Sequence, residues 1–169
     1  LQDLNAFLDE CNTEIPEKER IKPYEPSDLN KLAFWNATGS GKTLIMHVNI
    51  MQYLYYFRKH SRDKLTKIIL LTPNAGLSEQ HRKEFALSSI HAEFFDKTTS
   101  SILTAGESVE ILDIFKLEEE TGKTTIAVES LEGNNLVLVD EGHRGTSGDK
   151  WLDMRNRLCE SGFSFEYSA

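Results

Sequence analysis

An α/β fold, a mostly parallel sheet with helices on both faces, is what the sequence predicts, on three observations. Two runs, 67–71 and 136–139, are almost continuously apolar, as strands covered on both faces are. Segments of helical length separate the candidate strands, so each strand can return to the sheet in parallel. The two loops richest in chemistry, 37–43 and 140–143, directly follow candidate strands. In sheets of this kind that carboxyl end is where ligands sit.

The size and balance of the chain agree. Its 169 residues are 39% apolar and 27% charged, enough for one domain with a proper core. Nineteen Lys and Arg against 27 Asp and Glu give a net charge of −8. That argues against a partner held by a bulk positive field, though not against nucleic acid met by a local groove. The apolar fraction is too high for a disordered chain. No apolar run approaches the roughly 18 residues of a bilayer span, so no membrane partner is expected. No signal peptide is visible and the first residue is Leu1, so the chain reads as part of something longer. Cys11 and Cys159 have no Cys or His at pairing distance in sequence. Neither a disulfide framework nor a zinc site is expected, and a reducing cytoplasm fits.

Residues 1–31 read as a polar lead-in. Leu1, Leu4, Phe7 and Leu8 suggest a short amphipathic helix, and Pro23 and Pro26 end any helix there. Residues 32–169 read as the domain proper. Leu32 to Trp35 is a short strand. Thr43 to about Lys59 is a helix with two apolar stripes: Leu44, Val48, Met51 and Tyr55 on one, Ile50, Leu54 and Phe57 on the other. A helix so apolar is expected to be covered by other elements. Lys67 to Leu71 is a strand, and Asn74 caps a helix running to about Ser88. Phe94 and Phe95 suggest a third strand. Val109, Ile111 and Ile114, then Ile126 and Val128, flank the turn signal Thr121-Gly122-Lys123, which reads as a hairpin or two short strands. Leu136 to Val139 is the clearest strand. Trp151, Met154 and Leu158 mark a helix, and 163–169 alternates like a last strand. A sheet ending there is expected to leave an exposed edge.

The first chemical feature is Thr38, Gly39, Ser40, Gly41, Lys42 and Thr43 between a strand and a helix. Such a turn aims several backbone N–H groups and a helix dipole at one point, which binds phosphate. Glycine is required where the backbone takes positive φ and where a Cβ would strike the anion. Lys42 supplies a charge to the β and γ phosphates, and the Thr43 hydroxyl is placed for Mg²⁺. Asn36 stands where the strict pattern has glycine. Gly122-Lys123-Thr124 repeats three of the letters without the strand or glycine lead and reads as a surface turn, with Glu118 to Glu120 a solvated face.

The second feature is Asp140-Glu141-Gly142-His143. A strand delivering Asp140 to its end can place that carboxylate on an Mg²⁺ shell, and Glu141 can orient or deprotonate the attacking water. The third is Thr72-Pro73-Asn74, where a hydroxyl and a helix N-terminus can hold a nucleic-acid phosphate. A plain capping turn explains those residues equally well. His143 either senses the γ-phosphate or caps local carbonyls. His81 reads as structural or solvated. Trp35, Tyr53, Tyr55, Tyr56 and Phe57 read as core rather than a base-stacking platform.

Together these residues resemble the first motor domain, RecA-like in fold, of superfamily 2 helicases and translocases. Residues 37–43 look like motif I, Thr72-Pro73-Asn74 like motif Ia and Asp140 to His143 like motif II in its DExH form. Ser168-Ala169 looks like the opening of motif III, which couples the motifs. Within that superfamily 71–81, 140–145 and 165–169 are similar to the ATPase subunit of type III restriction enzymes. The resemblance implies ATP and Mg²⁺ as cofactors, hydrolysis coupled to movement on double-stranded DNA, and restriction-modification partner subunits. It also implies a second motor domain that supplies an arginine to the transition state. Those residues have no counterpart here, so this chain alone is expected to hydrolyse ATP very slowly. Asn36, and Glu25 where relatives read adenine through a glutamine, depart from the family pattern. An RNA helicase and a nucleotide switch without motor activity are the rival readings, since nothing in the sequence reads a 2′-OH.

Overall fold

The structure, a computed structural model, describes residues 1–96, 108–118, 126–127, 131–141 and 155–169. The chain divides into two units, Leu1–Lys31 and Leu32–Ala169.

In the first unit, helix α1 (Gln2–Thr13) carries Asn5 and Asn12 two turns apart on one face. Each side-chain amide both donates to and accepts from the backbone of the returning chain. Asn5 pairs with the carbonyl and N–H of Tyr24 (3.0 and 2.8 Å), and Asn12 with those of Ile21 (2.8 and 3.0 Å). Two asparagines thus satisfy backbone groups that would otherwise need a neighbouring strand. The Glu25 N–H donates to Asp28 Oδ2 at 2.7 Å and opens a tight turn at Pro26–Asn30.

The second unit is built on six strands. They are β1 (Lys31–Trp35), β2 (Ile68–Thr72), β3 (Ala92–Phe94), β4 (Val109–Asp113), and, after two short strands β5 (Leu117–Glu118) and β6 (Ile126–Ala127), β7 (Leu136–Asp140) and β8 (Phe163–Ser168). Their order across the sheet is β1-β8-β7-β2-β4-β3. Ile68 on β2 stands opposite Val109 on one side and Leu136 on the other, and Leu136 stands opposite Phe163, all in parallel register. Helices α2 (Lys42–His60) and α3 (Ala75–Leu87) follow β1 and β2.

Alternation along the strands makes two cores. Ile68, Leu70, Val109, Ile111, Leu136, Leu138, Phe165 and Tyr167 pack with Met46 and Ile50 of α2 and Phe85 of α3. Ile69, Leu71, Leu112, Val137 and Val139 pack on the opposite face with Leu131, Leu158 and Cys159. β2 and β7 are buried at every position, which is why they read as continuous apolar runs. Each such side chain taken fully from water contributes roughly 1.5–3 kcal/mol. Tyr167 is fully buried, stacks on Phe34 at 5.3 Å and accepts a hydrogen bond from Asn49 at 2.8 Å. Burial pushes its hydroxyl pKa well above the usual tyrosine value.

Several expectations are corrected. Of the two readings offered for 109–128, separate strands hold and the hairpin does not: β4 pairs in parallel with β2 and β3, and β6 in parallel with β5; Thr121 to Lys123 lie outside the described residues. β8 is interior, between β1 and β7, so the sheet edges are β1 and β3 rather than the strand at 163–169. Of the two stripes on α2, the one with Ile50, Leu54 and Phe57 faces the sheet. Leu44, Val48, Met51 and Tyr55 face outward. Trp35, Tyr55 and Tyr56 are exposed rather than core, because β1 is an edge strand and only one face of α2 meets the sheet. The expected helix around Trp151 is seen as helical residues 155–158, with Trp151 and Met154 outside the described residues.

Candidate active site

The two chemical loops meet at the carboxyl ends of β1 and β7, which flank β8. The chain leaves β1 through Ala37–Ser40, where the Ser40 N–H bonds the Ala37 carbonyl at 3.1 Å. Gly39 and Gly41 then adopt φ of 77° and 88°, the left-handed region that glycine enters without steric cost. Gly41 is the residue before α2, and no described side chain caps that helix. Its first N–H groups therefore face outward with the positive end of the helix dipole. A Cβ at Gly39 or Gly41 would meet no described atom within 4 Å, so the concave side of the loop is open.

Lys42 crosses from this loop to the other strand end. Its Nζ lies 2.6 Å from Glu141 Oε1, with both side chains mostly buried. Glu141 turns out of β7 with φ of 53°, one of two described non-glycine residues in the left-handed region. Holding a side chain there costs some energy, which the surrounding structure has to offset. Asp140, the last residue of β7, is buried at 8% exposure. Its Oδ2 accepts a hydrogen bond from His81 Nε2 at 2.8 Å.

His81 is the residue sequence reasoning missed. It is 3% exposed, so the solvated reading is wrong. Its partner is 59 residues away, beyond any local pattern. On its other side Phe85 is flanked by the rings of His81 (6.3 Å) and His47 of α2 (4.5 Å). Burial, with His81 nearby, holds the His47 pKa below its usual value, so the neutral ring that bonds Ser88 Oγ at 2.7 Å is favoured.

The remaining expected residues are placed as follows. Thr43 lies in the first turn of α2. Thr72 is fully buried and its hydroxyl bonds Ser78 Oγ at 2.5 Å, so it fixes the start of α3. Pro73 is buried, while Asn74 is exposed and caps α3 by accepting from the Leu77 N–H at 3.0 Å. The Ser168 carbonyl accepts from the Asn36 N–H at 3.0 Å, which ties the end of β8 to the residue ahead of the phosphate loop. Ala169 follows it. Gly142 and His143 lie outside the described residues.

A hydroxyl and a carboxylate are hard oxygen donors, the set that suits Mg²⁺ rather than zinc or copper. Among the described residues no group of three His, Cys, Asp or Glu side chains stands at metal-ligand spacing. By the chemistry of their oxygens, Thr43 and Asp140 would suit an ion that keeps most of its water and is shared with phosphate.

A parallel sheet with a Gly-Ser-Gly-Lys-Thr turn at one strand end and an Asp-Glu pair two strands away defines an ATP-binding motor domain of the helicase type, RecA-like in fold. The family model described as type III restriction enzyme, res subunit, matches residues 4–166, and the chain belongs to that family. A solved structure with the same fold is that of the UvsW helicase from bacteriophage T4, at 17% identity and a TM-score of 0.56. The match covers 95% of this chain and 58% of that one, so the chain spans somewhat over half the helicase's length. No curated protein sequence matches the chain. No helix among the described residues is long and apolar enough to cross a membrane.

Proposed function

We propose that this chain is the ATP-hydrolysing first half of a DNA-dependent translocase, working in the cytoplasm within a restriction system. The observation that carries the reading is the Lys42–Glu141 contact of 2.6 Å across two strand ends. It brings the phosphate-binding charge and the water-activating carboxylate to one point. The backbone N–H groups of 39–43 and the Lys42 ammonium bind the β and γ phosphates. The arriving phosphate competes with Glu141 for Lys42, and Glu141 so released orients the attacking water and accepts its proton. Thr43 and Asp140 would hold Mg²⁺, which when bound neutralises charge on the phosphates. The Asn36–Ser168 hydrogen bond supports a link between the phosphate loop and the segment resembling motif III. The exposed N-terminal turn of α3 at Asn74 is the part of the 72–74 segment open to a DNA phosphate, and duplex DNA and restriction-modification subunits are the proposed partners.

The test is ATP hydrolysis by the full-length protein, with and without duplex DNA, beside Glu141→Gln. Strong stimulation by duplex DNA that vanishes in the variant is the expected result. Stimulation by duplex RNA instead favours an RNA helicase. A rate indifferent to every nucleic acid, yet lost in the variant, leaves an ATPase switch and ends the translocase reading.

A further inference from the structure

The mechanism above uses Asp140 but not the buried histidine bound to it. His81 Nε2 lies 2.8 Å from Asp140 Oδ2, and the two side chains are 4% and 9% exposed. A carboxylate offers only lone pairs, so the histidine nitrogen carries the hydrogen and donates it. The other ring nitrogen, Nδ1, lies 4.0 Å from Glu84 Oε2.

The donor is itself held from several directions. Thr72 and Ser78 lock the start of α3 through their hydroxyls, and Asn74 caps it. Phe85, one turn after His81, packs against its ring and stacks on His47. His47 belongs to α2, the helix that begins at Lys42. A row of side chains thus joins the phosphate-loop helix, α3 and the end of β7. An aspartate's carboxyl torsion is otherwise broad, and a lone carboxylate at a strand end would sample many orientations. A charge-assisted bond to one oxygen selects among them.

We propose that His81 is a positioning residue for the Mg²⁺ site: its Nε2–H fixes Oδ2 of Asp140 and leaves Oδ1 for the ion and its water. The proposal rests on the reading of Thr43 and Asp140 as the ion's holders. It predicts that His81 matters for binding the ion and not for binding the nucleotide as such. Partners that orient a ligating carboxylate are worth about 10–100-fold in metal affinity.

Mn²⁺ serves as the probe, because the sharp paramagnetic resonance signal of the free ion falls as the ion is bound. The full chain is titrated with Mn²⁺ in the presence of a non-hydrolysable ATP analogue. His81→Ala, and His81→Leu should the alanine variant not fold, are expected to bind Mn²⁺ about 10–100-fold more weakly than wild type. His81→Gln, whose side-chain amide offers an N–H from the same reach, is expected to recover most of the loss. Binding of a fluorescent nucleotide in EDTA is expected to be the same in all variants. Equal Mn²⁺ affinity in wild type and the donor-less variants overturns the proposal. So does equal loss in the glutamine variant together with weakened metal-free nucleotide binding, which would make His81 merely structural. If wild type itself binds no Mn²⁺ with nucleotide, the metal-site reading fails, and the proposal with it.

Discussion

Lys42 and Glu141 form an ion pair that the proposed chemistry must break. Each is mostly shielded from water, so each charge depends on the other until an anion arrives. A hydrogen bond to a charged group is worth about 1.5–3 kcal/mol, and each 1.4 kcal/mol is about tenfold in affinity. Lys42→Ala is therefore expected to weaken nucleotide binding by roughly 10–100-fold. Glu141→Gln is expected to retain binding and lose hydrolysis. A titration with fluorescent nucleotide separates the two, and equal affinity in wild type and Lys42→Ala would remove Lys42 from the phosphate site. At this scale the sequence was readable wherever the chemistry is local. The glycines, Lys42 and the Asp140-Glu141 pair announce themselves because a strand, a turn and a helix N-terminus are contiguous in the chain. His81 was not readable, because what defines it is a contact with another strand's end. Thr72 was readable only as two alternatives, and burial shows its hydroxyl engaged with Ser78.

At the scale of elements, the end of β7 opposite the site depends on Asn135. Its side-chain amide is fully buried and donates to the carbonyls of Leu131 at 2.6 Å and Leu158 at 2.8 Å. It so ties the turn before β7 to the helical residues that precede β8. The neighbouring crossing is tight enough that a Cβ at Gly162 would stand 2.0 Å from the Asn135 carbonyl oxygen, which only glycine avoids. Asn135→Ala would strand two buried carbonyls at about 1–3 kcal/mol each, partly relieved by water, so a loss of about 2–4 kcal/mol is expected. Urea unfolding reads it as a lowered midpoint with unchanged slope. A loss under about 0.5 kcal/mol, the ordinary surface value, would contradict this account. Element types were legible here and their neighbours were not. Periodicity shows that α2 is helical and that 136–139 is a buried strand. It does not say that only one stripe of α2 meets the sheet, or that β8 inserts between β1 and β7. Those outcomes depend on strand order, which no local pattern encodes.

For the whole molecule the question is whether one motor domain is enough to hydrolyse ATP. The unit Leu32–Ala169 holds Lys42 against Glu141, beside Asp140, the residues proposed above for phosphate, water and ion. Its described arginines near the strand ends and the second core are engaged elsewhere: Arg155 with Glu166 at 3.2 Å, Arg157 with Glu132 at 2.6 Å. On the α3 surface Arg82 pairs with Glu79 at 2.8 Å, which lowers the pKa of that carboxyl. The family resemblance assigns the transition-state arginine to a second motor domain, and such a residue is worth about 10³–10⁵ in rate. Taking about 1 s⁻¹ as the lower end of ordinary enzymes, these 169 residues by themselves are expected to turn over ATP at about 10⁻³ s⁻¹ or slower. Nucleotide binding should nevertheless be retained, because every group proposed for it lies in this unit. Duplex DNA should change the rate little, since the net charge of −8 offers no bulk attraction and the proposed track lies between two motor domains. Phosphate release measured on the chain alone, with and without duplex DNA, checks the two rates, and a titration with fluorescent nucleotide checks the binding. Turnover of about 1 s⁻¹ or faster would mean that an arginine of this same chain reaches the γ-phosphate.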